Sequence, residues 1–310
     1  MKKAIETFDL TKRYNGKGGC ENICLSVNEG QVFSLLGPNG AGKSTCIKTL
    51  LGLLKADSGE AFLLGEPISN INMRKRIGFL PELFKYQDWM TGSDLLKYHA
   101  KLAYVAKEDI PKMTASAAEI AGISAALGKR IGSYSKGMQQ RIGIATALVA
   151  NPDLVFLDEP TSALDPIGRL QVREMIKHLK NEGKTVFLNS HLLSEVEMVS
   201  DQVAFIRQGR TIAAGDMREL LGEDVKLAVR AQGIDDVTFG MIQDKWANAQ
   251  LLDWGIEIPL SSDNDVPQIV SALCAHGARI YEVNIGKLTL EELFVRLMDE
   301  DGKREVELQC

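Results

Sequence analysis

An apolar run from Gln31 to Leu36 ends in Gly37-Pro38-Asn39-Gly40-Ala41-Gly42-Lys43-Ser44, and a helix-forming stretch from Ser44 to Leu54 follows. These eight residues fit GxxxxGK[ST], and their place between a buried strand and a helix constrains the fold more than any other feature. The glycines let consecutive backbone N–H groups curl around an anion, and the helix N-terminus adds positive potential. Lys43 supplies a mobile cation, and the Ser44 hydroxyl can ligate a divalent ion. The expected ligand is a nucleoside triphosphate with Mg²⁺.

The chain around this loop reads as α/β. Ala4 to Leu10 and Ile23 to Val27 alternate as strands, and Ile77 to Leu80 is a further strand. From about Thr91 to Leu148 the pattern is helical and alanine-rich, as in Thr114 to Leu127, which predicts an inserted helical subdomain. Strand signals return at Leu154 to Leu157, Thr185 to Asn189 and Gln202 to Ile206, with a crossover helix from Pro166 to Asn181, so a parallel core is expected. Beyond a short helix at Met217 to Leu221 the pattern resets. Strands at Asp224 to Arg230, Leu252 to Ile258 and Arg279 to Val283, each followed by a helix, predict a second, smaller α/β domain over 221–310. Its last helix aligns Leu290, Leu293, Phe294, Leu297 and Met298 in one apolar stripe, expected to pack on its own domain.

The apolar strand Leu154 to Leu157 ends in Asp158-Glu159. In a parallel sheet these carboxylates emerge at the carboxyl edge, beside the phosphate loop. Asp158 is placed to hold a magnesium shell, and Glu159 to orient and deprotonate an attacking water.

A formal net charge of −5 argues against nucleic-acid binding. No segment approaches the roughly 18 to 20 apolar residues of a membrane span; the longest, Ile142 to Ala150, is half that and carries Gly143 and Thr146. The first residues, with Lys2, Lys3, Glu6 and Asp9, lack the apolar middle of a secretion signal, so a cytosolic chain is expected. Five scattered cysteines without a CxxC pair are expected to be reduced thiols.

The strings flanking the second carboxylate pair extend the pattern. Tyr134-Ser135-Lys136-Gly137-Met138-Gln139-Gln140-Arg141 precedes it, and Ser162-Ala163-Leu164-Asp165 and His191 follow it. Together with the phosphate loop these resemble the ATP-binding subunit of an ABC transporter, over about residues 1–220. The resemblance implies ATP bound by Tyr14, which would stack on adenine, by Gly37, Pro38, Asn39, Gly40, Ala41, Gly42, Lys43, Ser44 and Thr45, and by Glu82 and Asp158, with Ser44, Asp158 and Glu82 at magnesium. It implies that Glu159, His191 and Lys43 are catalytic and that His191 contacts the γ-phosphate. Ser135 and Gly137 would meet the ATP held by a second cassette, expected to be another copy of this chain, and Asp165 would act across that dimer. A signature with Tyr134, Lys136 and Met138, and Glu82 in place of the common glutamine, are similar to the exporter branch handling antibiotics, sodium, polysaccharides or cytochrome maturation. The ending Thr289-Leu290-Glu291-Glu292-Leu293-Phe294 is similar to C-terminal domains of that branch.

The implied function is ATP hydrolysis that energises a separate integral membrane permease, with the chain peripheral on the inner face of the membrane and two cassettes enclosing two ATP. The competing reading is a soluble ATPase of the same family acting on ribosomes or DNA, which would carry two cassettes or a long coiled-coil insertion. One phosphate loop and no heptad array between Ser44 and Ser135 weigh against it. A GTPase is disfavoured because no NKxD string is present.

Overall fold

The computed structural model describes residues 2–162, 164–222, 225–260, 262 and 264–299; Ala163, Asp224 and residues 300–310 of the expected second domain lie outside them. Two compact units emerge, residues 218–296 and the remainder.

The first unit opens with a hairpin, β1 (Lys3–Tyr14) and β2 (Lys17–Asn28), followed by β3 (Val32–Leu36), helix α1 (Lys43–Leu50), β4 (Ser58–Leu63), the two-residue β5 (Glu66–Pro67) and β6 (Ile77–Leu80). Three helices follow: α2 (Gly92–Leu102), α3 (Ile110–Ile120) and α4 (Lys136–Leu148). Then come β7 (Leu154–Asp158), α5 (Pro166–Asn181), β8 (Thr185–Asn189), α6 (Leu193–Glu197), β9 (Gln202–Arg207) and β10 (Arg210–Asp216); the chain divides at the start of α7 (Met217–Leu221). These three helices fall within residues 91–148. Thr91 caps α2 by accepting from the Asp94 N–H, Ser135 caps α4, and Pro111 sits in the first turn of α3, where its missing N–H costs nothing.

Two sheets build this unit. One is antiparallel, in the order β2-β1-β4-β5; the other runs β10-β9-β3-β8-β7-β6, parallel from β9 to β6 with β10 antiparallel at its edge. Every residue of β3, β7 and β8 is buried, as expected for strands covered on both faces. Phe156 stacks on Phe187 at 4.9 Å, and Phe33 meets Phe187 at 5.2 Å. Ile47 and Leu50 of α1 join the same core, which pins the helix behind the phosphate loop to the sheet. Strand β10 carries no alternating apolar signal: all but one of its residues are half-buried and its sequence holds Gly215, so periodicity does not reveal it.

The second unit comprises β11 (Val225–Gln232), α8 (Asp236–Lys245), β12 (Gln250–Leu252), β13 (Gly255–Leu260), α9 (Asp265–Ala275), β14 (Arg279–Lys287) and α10 (Leu290–Asp299). Its sheet, in the order β12-β13-β11-β14, is wholly antiparallel. The expected single strand Leu252 to Ile258 is two strands instead, because Asp253-Trp254 makes a hairpin turn within it. Leu227, Val229, Ile256 and Ile258 form its core with Ile242, Trp246, Ile269 and Leu273. On α10, Leu290 is buried, while Leu293, Phe294, Leu297 and Met298 are half-buried.

Candidate active site

Register decides what the sheet brings together. Across β7 and β8, Asp158 is paired with Asn189; across β8 and β3, Asn189 is paired with Leu35. The three strands thus end level, and the chain leaving each one enters a common edge: the loop 37–43 after β3, Glu159 after β7, and Ser190 and His191 after β8. That edge is where an open α/β sheet binds its ligand.

The phosphate loop is held by backbone on both sides. A Cβ at Gly37 would stand 2.2 Å from the Ile206 carbonyl, and one at Gly42, whose φ is +104°, would stand 2.1 Å from the Gly19 carbonyl of β2. Only glycine fits at either position. The Gly209 N–H donates to the Ala41 carbonyl at 2.9 Å, and the Glu21 N–H donates to the Gly209 carbonyl at 2.7 Å, linking loop, hairpin and the β9–β10 turn. The Lys43 ammonium folds back over the loop and donates to the carbonyls of Gly37 (2.7 Å) and Pro38 (3.1 Å). Burial lowers its pKa, while the carboxylates of Glu159, Asp158 and Glu82 act to raise it. Ser44 and Thr45 are half-buried in the first turn of α1, which contains no acidic residue to compete with an anion.

Asp158 and Glu159 are both buried. Burial raises the pKa of each. The Asn189 amide opposes the shift at Asp158 by donating to Oδ1 at 2.5 Å, and the Glu82 N–H also points at this carboxylate. His191 opposes the shift at Glu159, its Nδ1 lying 2.7 Å from Oε2. Glu159 itself adopts φ +54°, unusual for a side chain that lacks glycine's freedom. The conformation is over-determined: its N–H donates to the Asn189 carbonyl at 2.8 Å, and its carbonyl accepts from Ser162 Oγ (3.1 Å) and Gln140 Nε2 (3.4 Å).

Glu82 follows β6 and is exposed, yet its charge reaches Lys43, Asp158 and Glu159. Tyr14 ends β1 and is half exposed beside the hairpin whose Gly19 touches the loop. Ser135 and Gly137 stand apart, at the N-terminus of α4: Ser135 Oγ accepts from the Met138 N–H at 3.3 Å, and a Cβ on Gly137 would face Leu164 at 3.5 Å. Buried Tyr134 anchors that turn by donating to the Ala126 carbonyl at 2.8 Å. Asp165 caps α5 through the Gly168 N–H at 2.7 Å.

Sequence reasoning passed over Asn189 and Gln140. Asn189 was legible only as a strand end, because its partner Asp158 lies 31 residues away and is met through strand pairing. The Asn189 Oδ1 atom is buried with no hydrogen-bond partner, an acceptor left free at the edge of the site. Ser44, Asp158 and Glu82 offer oxygen donors only, a chemistry that suits magnesium, an ion that relies on few protein ligands and on phosphate oxygens; among the described residues no cluster of three His, Cys, Asp or Glu side chains could hold a metal by itself.

Of the cysteines, Cys20, Cys46 and Cys274 are free thiols. Among the described residues no helix is long and apolar enough to cross a membrane.

A family model described as ABC transporter matches residues 20–162, and an AAA domain model matches residues 129–197. An uncharacterised ABC transporter ATP-binding protein of Synechocystis is 36% identical over 307 residues, covering 96% of this chain and 85% of the relative. The daunorubicin/doxorubicin resistance ATP-binding protein DrrA of Streptomyces peucetius is 33% identical over 311 residues, covering 95% and 92%. The solved structure of CbiO1 from Clostridium perfringens, part of an ABC transporter complex, superposes with a TM-score of 0.64 at 27% identity, covering 72% of this chain and 92% of that one. With the phosphate loop and the Asp158-Glu159 edge in place, these likenesses establish that the chain belongs to the ABC transporter family, as an ATP-binding subunit and ATPase.

Proposed function

We propose that this chain drives export through a separate integral membrane permease, as one of two identical cassettes that enclose two ATP between them. The observation that carries the hydrolytic part is the contact of Glu159 Oε2 with His191 Nδ1 at 2.7 Å, at the strand edge shared with the phosphate loop. Export is supported by the relative named for daunorubicin/doxorubicin resistance. Subunits of this family dimerise and pair with a permease.

In this reading the loop N–H groups and Lys43 hold the β- and γ-phosphates, and Tyr14 stacks on adenine. Ser44, Asp158 and Glu82 would hold magnesium, which when bound neutralises phosphate charge. Glu159 accepts the proton of the attacking water, and burial, which raises its proton affinity, suits it to that task. His191 orients the Glu159 carboxylate and is itself exposed enough to reach the γ-phosphate. Ser135 and Gly137 sit on a helix N-terminus remote in sequence from the loop, an arrangement suited to the ATP of the partner cassette. Residues 1–220 form the ATPase and 221–310 an accessory domain, and the chain lies at the cytoplasmic face of the membrane through its permease.

The test is affinity purification of Glu159→Gln with ATP from detergent-solubilised cells. Co-purification of a multi-span membrane protein is the expected result; ribosomes, DNA or no partner would overturn the proposal.

A further inference from the structure

Helices α5 and α6 follow the two loops that carry Glu159 and His191, and one ion pair joins them. Arg173, two turns into α5, grips the Glu195 carboxylate of α6 as a fork: Nε donates to Oε2 at 3.1 Å, and Nη2 donates to Oε1 at 3.0 Å and to Oε2 at 2.9 Å. The two side chains are only 19% and 20% exposed, so salt and water screen the pair less than a surface pair. With Thr161 and Ser190 they wall a cavity of about 10 Å³. Thr161 stands two residues after Glu159, and Ser190 one before His191, so the fork lies against both loops.

From Glu195 the restraint continues to His191 through backbone. The Glu195 N–H donates to the Leu192 carbonyl at 3.0 Å, and the Leu192 N–H donates to Ser190 Oγ at 3.2 Å. Both chain neighbours of His191 are thereby tied, and Ser190 is itself buried. Helix α6 has only five residues, too few to hold its place by its own hydrogen bonds, and depends on buried Val196 and on the grip of Arg173. We propose that Arg173 is a positioning residue for His191: acting through Glu195 and α6, it fixes the loop from which His191 meets Glu159 Oε2.

The geometry favours positioning over packing alone. A two-pronged grip fixes orientation as well as distance, which a single-point cation does not. His191 needs such a support because 58% of its side chain is exposed, so its ring is placed by the backbone that carries it and by the contact with Glu159. A displacement of about 1 Å in a reacting group can cost on the order of 10²-fold in rate. Nucleotide affinity does not depend on this strut, since Arg173 and Glu195 stand on elements that the phosphate loop does not use.

The inference rests on His191 serving the proposed hydrolysis, and the experiment separates the two claims. In the full chain, phosphate release, equilibrium binding of a fluorescent ATP analogue and hydrogen–deuterium exchange of residues 190–197 are measured. The variants are Glu195→Gln, Arg173→Lys and His191→Ala, with each of the first two also combined with His191→Ala. Glu195→Gln should lower kcat by about 10- to 10²-fold at unchanged affinity for the analogue, with faster exchange in 190–197. Arg173→Lys, which keeps the charge but loses the fork, should fall between that variant and the parent chain. In the His191→Ala background neither substitution should lower kcat further, since residues that act as one unit are non-additive. A full additional loss in the combined variants, or unchanged kcat or exchange in Glu195→Gln, overturns the proposal. Should Glu195→Gln fail to fold, Arg173→Lys carries the same comparison. If His191→Ala hydrolyses ATP at the parent rate, the catalytic reading of His191 fails instead, and exchange alone decides whether the pair holds the loop.

Discussion

His191 Nδ1 lies 2.7 Å from Glu159 Oε2, joining residues 32 apart in sequence across the ends of β7 and β8. The carboxylate is buried and the imidazole is more than half exposed, so one partner is shielded while the other can reach a ligand. This pair is where removal of a single charge should be most telling.

Glu159→Gln keeps the shape and the backbone contacts of the residue but removes the base. ATP binding should persist while phosphate release falls by about 10² to 10⁴, and the chain should accumulate as a closed dimer. Phosphate release and size-exclusion chromatography with ATP check this, and rapid hydrolysis by the variant would refute the assignment of the base.

Lys43→Ala removes the cation that spans the carbonyls of Gly37 and Pro38. Equilibrium binding of ATP should be lost. An unchanged affinity would count against the loop as the phosphate site.

Tyr14→Ala leaves the buried part of β1 intact, since Tyr14 is half exposed at the strand's end. If its ring stacks on adenine, ATP should bind more weakly by about 1 to 3 kcal/mol, the range for aromatic–base stacking. Affinity for inorganic triphosphate, which has no base, should be unchanged. Equal losses for both ligands would place the effect in the hairpin.

Gly42→Ala meets two obstacles, the +104° φ and the Gly19 carbonyl 2.1 Å from the new Cβ. Thermal unfolding should show a loss on the order of 1 to 3 kcal/mol from the backbone conformation alone, accompanied by weakened nucleotide binding. A variant with wild-type melting and binding would mean the loop can relax away from β2.

Much of the site was legible because it is written in contiguous strings. GxxxxGK[ST] after an apolar strand names the loop, and Leu154 to Glu159 names the carboxylate edge, since both depend on local backbone and on which residues a buried strand can hold. The continuous apolar runs of β3, β7 and β8 likewise announce a parallel sheet covered on both faces. Less was legible at β10 of the first unit, which is half-buried and shows no period, and in the second unit, where the hairpin turn at Asp253-Trp254 falls inside an alternating stretch.

What the sequence by itself determined is thus the class of fold and the ligand, because phosphate loops and buried strands are specified by residues adjacent in the chain. Only the tertiary structure decided which distant residues meet: Asn189 on Asp158, His191 on Glu159, and Gly19 of β2 against Gly42 of the phosphate loop. Those meetings arise from strand register and from the packing of α1 on β2, quantities fixed by the summed burial of the whole core and by no local string.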